Sequence, residues 1–245
     1  MTKHAWKWSL VLAAVWALSG WAEDGEEHWK GSVNLGGSMT RGNSKTAQGN
    51  AALVLEGELD GLGALRFTAE GNYGESETDG ERTTTVENAR AGLKARKDLH
   101  KRVFVAANAA VRYDELARID YRYTVGPSLG VFLVKKDRVK LELETGAVHI
   151  WEKTDGQRDD YTAYRAAERL DIALSDTAKF WQTAEYIPQA NDFDDYLLVV
   201  EAGVEAAVNS RLSLRLVWQS QYDSRPAEDV KKHDQTLIAG IGIKL

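Results

Sequence analysis

The feature that most constrains this chain is alternation with a period of two, kept up over unusually long stretches. From Val103 to Tyr113 the odd positions are Val103, Val105, Ala107, Ala109, Val111 and Tyr113, and the even ones are Phe104, Ala106, Asn108, Ala110 and Arg112. From Tyr121 the odd positions Tyr121, Tyr123, Val125, Pro127, Leu129, Val131 and Leu133 oppose Arg122, Thr124, Gly126, Ser128 and Gly130. Leu212, Leu214, Leu216 and Trp218 alternate in the same way with Ser213, Arg215, Val217 and Gln219. Side chains alternate between the two faces of a β-strand, so this pattern describes long strands with one apolar and one polar face.

Twelve such strands are predicted, at 29–40, 45–59, 64–75, 83–97, 102–113, 120–134, 139–151, 160–174, 179–188, 195–208, 211–222 and 233–245. Five connections are tight, such as Asp60–Gly63 and Asn209-Ser210. The others, at 76–82, 114–119, 152–159, 189–194 and 223–232, are longer and more polar, with Arg41–Ser44 the short exception. Short turns at one end and longer loops at the other indicate an up-and-down antiparallel sheet, and closure removes its edges. The fold class expected is all-β: a closed up-and-down antiparallel transmembrane β-barrel of about twelve strands.

Residues 1–22 carry Lys3 and Lys7, then the apolar run Leu10–Leu18, then Gly20-Trp21-Ala22. This is the pattern of a cleaved secretory signal peptide. The run is shorter than the ~20 residues a spanning helix needs. A short periplasmic segment, 23–28, would lead into a barrel at 29–245. The chain has no Cys, which excludes a disulfide scaffold, a Cys zinc site and thiol catalysis. Its net charge of −6 argues against nucleic acid as a partner.

A soluble barrel would turn its apolar face inward, and a membrane barrel turns it outward. Many strands reach 12 residues, against a mode of about 5–6 in soluble sheets and about 9–11 needed to cross hydrocarbon. Interface aromatics are the stronger sign, because Tyr and Trp gather where an apolar ring can keep a polar tip in water. Tyr73, Tyr113, Tyr121, Tyr123, Trp151, Tyr161, Tyr164, Tyr186, Tyr196, Trp218 and Tyr222 crowd the loop end, and Trp29, Phe104, Phe132, Phe180 and Trp181 the short-turn end. Two girdles and an export signal point to a bacterial outer membrane, with both termini periplasmic. Outer-membrane lipid, lipopolysaccharide and the outer-membrane assembly machinery are the expected partners.

Trp29-Lys30-Gly31-Ser32-Val33 with Gly42-Asn43-Ser44, and the late Tyr222-Asp223-Ser224-Arg225-Pro226-Ala227 with Asp234, carry a resemblance over about 29–245. In these motifs the chain resembles the salt-induced outer membrane protein family, a domain family of unknown function. The resemblance implies an outer-membrane β-barrel linked to salt or envelope stress, and brings no catalytic or ligand residues. Leu245 departs from the aromatic with which outer-membrane barrels commonly end.

No enzyme, cofactor or metal site is expected. His149 is the one His well inside a strand, and no Ser falls beside it, whereas a nucleophile needs a base within hydrogen-bond reach. The acids at the loop end, Asp114, Glu115, Asp155, Asp159, Asp160, Asp192, Asp194 and Asp195, have no His among them and match no metal loop. Glu168 falls on the apolar face, which a bulge turning it inward would explain. Pro127 lacks a ladder donor and suggests a local irregularity. Leu129 should face lipid and Ser128 the lumen, so an Arg should be tolerated at 128 and not at 129.

The lumen-lining candidates are Arg90, Lys94, Arg96, Arg112 and Arg122 on strands four to six, and Glu185, Glu201 and Glu205 on strands nine and ten. Two readings stay open. Separated charge across a water-filled pore would make a narrow channel for small ions or polar solutes. Charges paired across a filled lumen would make a structural or stress-response barrel without transport. An outer-membrane phospholipase is the weakest alternative.

Overall fold

The computed structural model describes residues 29–40, 45–78 and 81–245. The signal peptide expected at 1–22, the periplasmic segment expected at 23–28 and the connection expected at Arg41–Ser44 lie outside the described residues. Twelve strands follow in chain order: β1 Lys30–Thr40, β2 Lys45–Leu59, β3 Gly63–Thr78, β4 Glu81–Asp98, β5 Val103–Asp114 and β6 Ile119–Lys135. Then come β7 Val139–Thr154, β8 Gln157–Ala173, β9 Ala178–Gln189, β10 Asp192–Ala207, β11 Leu212–Asp223 and β12 His233–Lys244. Each pairs antiparallel with its neighbours in sequence, and β1 pairs with β12, closing the barrel. Both described chain ends lie at one end of the barrel, here the terminal end. The opposite end, which carries 224–232, is the loop end.

The strands run further toward the loop end than the apolar pattern indicates. β3 reaches Thr78 and β4 begins at Glu81, so most of the loop expected at 76–82 is ladder. The segments expected as loops at 152–159 and 189–194 shrink to Asp155-Gly156 and Ala190-Asn191. A ladder is held by main-chain groups, so polar residues extend it above the apolar band. Asp155 (φ 51°) and Gly156 (φ 77°) both sit in the left-handed region, as a type I′ hairpin turn requires.

Period two resolves into a strict inside and outside. Leu93, Val125, Leu129, Leu143, Leu214, Leu216 and Ile241 are exposed on the outer face. Ser128, Glu142, Glu144, Arg165 and Gln219 are buried on the inner one. Of the two expected irregularities, one is absent and one is found. Pairing of β7 with β8 is continuous from Val139–Ile172 to Thr154–Gln157, so no bulge turns Glu168 inward. It stays on the outer face, where Gln182 Nε2 donates to its Oε1 at 2.5 Å. That hydrogen bond, not a bulge, accommodates the carboxylate. At Pro127 the expected irregularity is present: the ladder to β7 skips Gly126 and Pro127, passing from Val125–His149 to Ser128–Gly146 with the register unchanged, and register shifts of β6 fall at Ile119/Tyr121 and Phe132/Val134.

Candidate functional site: the charged lumen

The inner face divides at mid-height. Asn50, Asn72 and Asn88 sit side by side on β2, β3 and β4. Asn50 donates to Asn72 at 2.7 Å and Asn72 to Asn88 at 2.8 Å. With Gln219, Gln221, Arg112, Asp114 and Asp234 they line a vestibule of about 450 Å³ on the loop-end side. Arg90 and Gln219 form its floor.

Below the vestibule the lumen is bridged. Arg90 Nη2 lies 2.6 Å from Glu70 Oε2 on the adjacent strand and 3.0 Å from Glu201 Oε2. β4 and β10 are six strands apart in either direction around the ring, so this second contact crosses the full width of the barrel. Gln219 Nε2 donates to both carboxylates, at 3.1 Å to each, and Trp181 Nε1 donates to Glu201 at 3.0 Å. Each carboxylate therefore has several donors, the condition for keeping a charge out of bulk water.

The terminal half is more densely filled. Lys94 is paired with Glu142 at 3.2 Å and also with Glu144. Glu144 also accepts from Arg165 at 3.1 Å and from Ser128 Oγ at 3.0 Å. Arg96 lies 3.5 Å from Glu142 and over the rings of Phe104 and Phe132, 5.3 Å from each centroid. Phe104 and Phe132 meet at 5.2 Å, and Arg215 lies 4.9 Å from the Trp181 ring. Two glycines make room for these rings. A β-carbon at Gly130 would lie 2.1 Å from Phe104, and one at Gly203 would lie 2.3 Å from Trp181.

The eight lumen candidates lie on one continuous face, but not as two separated arcs. Arg90 meets Glu201. Arg112 pairs with Asp114 at 2.7 Å on its own strand, and Arg122 with Glu152 on the next strand and Asp223 at 3.6 Å. Glu185 pairs with Arg165, and Glu205 with Lys179 at 3.3 Å and Arg215 at 3.4 Å. Glu70 on β3 and Glu142, Glu144 and Glu152 on β7 flank the basic wall of β4 to β6, so the expected transverse field gives way to pairing. Ser128 is 6% exposed and also accepts from Asn108 at 2.9 Å, which leaves no room for the Arg that phase alone would allow there.

The aromatics divide as well. Tyr73, Tyr123, Trp151, Tyr164, Tyr186, Trp218 and, at the terminal end, Trp29 are exposed. Tyr121 adjoins Tyr123, Tyr196 stacks on Tyr222 and meets Tyr186 at a tilt, and Tyr113 donates to Glu115 at 2.5 Å. Tyr161 instead packs with the inward Val148, Ile150 and Ala163. Phe104, Phe132 and Trp181 also point inward and are buried, so they floor the lumen rather than form a second girdle. On the outer face His149 Nδ1 lies 3.3 Å from Thr162 Oγ1 and Nε2 3.5 Å from Asp160, so a hydroxyl and one loop-end acid do flank it.

The chain belongs to the family described as a protein of unknown function, DUF481, which matches residues 33–245. No curated protein matches it. Among solved structures it is similar to the NanC porin, with a TM-score of 0.53 and 8% identity over 87% of this chain and 100% of that one. It is also similar to an outer-membrane channel from Pseudomonas putida F1, with a TM-score of 0.52 and 10% identity over 91% and 100%. At these identities the likeness is one of fold: a closed twelve-stranded antiparallel barrel.

Proposed function

We propose that the chain is an outer-membrane channel of low conductance, whose lumen narrows from a polar vestibule to a charged crossbar and passes small ions and polar solutes. The Arg90–Glu201 contact across the barrel carries this reading. It leaves a hydrated vestibule above and a constriction of paired charge below, where fixed charge decides which ions pass. The apolar outer face and loop-end aromatics support a bacterial outer-membrane location with both termini periplasmic, after removal of residues 1–22. The porin and channel likenesses support it at the level of fold. Lipopolysaccharide would surround the loop end, and the assembly machinery would insert the barrel. A link to salt stress belongs to the same proposal.

A second reading, a structural or stress-response barrel, is favoured by the same crossbar if it never opens. Flux separates the two. Purified protein in liposomes should pass glycerol and small ions, and lipid-only liposomes should not. Recovery in the outer-membrane fraction, with a heat-dependent shift on gels, tests the location. We read the chain as no enzyme and as needing no cofactor. Hydrolysis of phospholipid by the purified protein, lost in His149→Ala, would overturn that.

A further inference from the structure

The five described turns at the terminal end are not alike. Those joining β2 to β3, β8 to β9 and β10 to β11 hold one basic residue between them, Arg211. Those joining β4 to β5 and β6 to β7, at 99–102 and 136–138, hold Lys101, Arg102, Lys136 and Arg138. Lys97 and Lys135 adjoin them at the strand ends, with Asp98 and Asp137. Six basic residues against two acids leave a net charge of +4 with His100 neutral. The whole chain carries −6, so this sector of the rim opposes the sign of the molecule.

The two turns form one platform. β5 lies between β4 and β6 in the ring, so the turns are neighbours. The Phe132 N–H donates to the Arg102 carbonyl at 2.8 Å. Lys135 Nζ donates to Asp98 Oδ2 at 3.3 Å and to the Lys101 carbonyl at 3.4 Å, and lies 4.3 Å from the Phe132 ring centroid. Lys135 thereby neutralises Asp98. Among the described residues, Lys101, Arg102, Lys136 and Arg138 are paired with no carboxylate, and all four are exposed. Directly above them the outer wall is apolar. Val105, Leu129 and Leu143 on β5, β6 and β7 are exposed there, as are Leu133 and, in the turn itself, Leu99. Uncompensated cations below an apolar wall make a surface of two parts.

We infer that the β4–β7 sector of the terminal rim binds acidic phospholipid, with lipid phosphate at Lys101, Arg102, Lys136 and Arg138 and acyl chains along Val105, Leu129 and Leu133. This rests on the outer-membrane reading above, which puts the rim at the periplasmic leaflet. Basic side chains at a membrane surface attract anionic lipid, and the attraction fades within a screening length. The long stems of Lys and Arg lie along apolar surface while their cations reach the headgroup. A soluble acidic protein would use the turns alone, whereas a lipid uses the turns and the wall above them. The lumen takes no part, so lipid binding and conductance are separable.

Native mass spectrometry of the purified barrel in detergent counts the lipids it retains when phosphatidylglycerol and phosphatidylcholine of the same acyl chains are supplied at equal concentration. The rim variant combines Lys101→Gln, Arg102→Gln, Lys136→Gln and Arg138→Gln. A control of equal charge change combines Arg158→Gln, Arg211→Gln, Lys231→Gln and Lys232→Gln, all exposed and away from this sector. The heat-dependent gel shift confirms that each barrel is folded before lipid is added. Wild type and control should retain phosphatidylglycerol several-fold over phosphatidylcholine, and the rim variant should retain the two alike. A second reading needs no substitution: the wild-type preference should fall as ammonium acetate is raised, because salt screens the charges. No preference in the wild type, a preference that survives in the rim variant or in high salt, or an equal loss in the control would each overturn the lipid site. Capture of soluble polyglutamate without any preference for phosphatidylglycerol would also overturn it, in favour of an acidic protein. A protein recovered from the soluble periplasm would instead overturn the reading on which it rests.

Discussion

The two halves of the lumen are built from the same twelve strands and solve different problems. The loop-end half carries a row of neutral amides bonded along the wall, Asn50 to Asn72 to Asn88, beside the Arg112–Asp114 pair and Asp234, around open space. The terminal half has Lys94, Arg96 and Arg165 tied to Glu142 and Glu144, packed against Phe104 and Phe132. Amides facing water can exchange a protein partner for a solvent one at little net cost. Charges in a filled interior cannot, and removing one partner leaves the other uncompensated. The same wall can therefore be receptive above the Arg90–Glu201 contact and rigid below it.

Substitutions that set one half against the other test this difference. Glu144→Ala should have the largest effect, because Lys94 and Arg165 both lose a buried partner. A loss of about 3–5 kcal/mol is expected, read as a lower temperature for the heat-dependent gel shift. Ser128→Arg should fail nearly as badly, by overpacking at about 1–3 kcal/mol or more, and Leu129→Arg by about 2–4 kcal/mol on the lipid-facing side. If Ser128→Arg behaves like the wild type, the terminal half is not filled. Asn72→Ala in the vestibule should cost about 1 kcal/mol or less. The outer-face pair Glu168→Leu with Gln182→Leu should be neutral or slightly stabilising, since replacing both partners by apolar groups leaves nothing unsatisfied. Denaturant unfolding of the double variant checks this, and a clear loss of stability would mean that the pair faces protein rather than lipid.

Most of the fold was legible because period two reports on the wall. The even phase of β5 places Phe104 beside Ala106, Asn108 and Arg112, and the structure keeps it there, inside. Its apparent place in an outer girdle came from height alone. The signal that resolves it is cross-strand: Gly130 is paired with Phe104, and Gly203 with Trp181. The Asp155-Gly156 turn was also readable, since that dipeptide favours a two-residue hairpin. Alternation says which face a residue occupies and nothing of how far its side chain reaches. The Arg90–Glu201 bridge joins residues 111 positions apart and depends on barrel width and ring order.

The crossbar is tested most directly by unitary conductance in planar bilayers, comparing wild-type protein with Glu201→Ala. Truncation frees Arg90 from the far wall and leaves it held by Glu70 alone. The wild type should conduct weakly, and the variant should conduct several-fold more and shift toward anions, because an acidic group has been lost from the constriction. High salt should blunt that shift, as the screening length falls to about 3 Å at 1 M. Equal conductance and equal selectivity in two folded barrels would contradict the claim that this contact sets the passage.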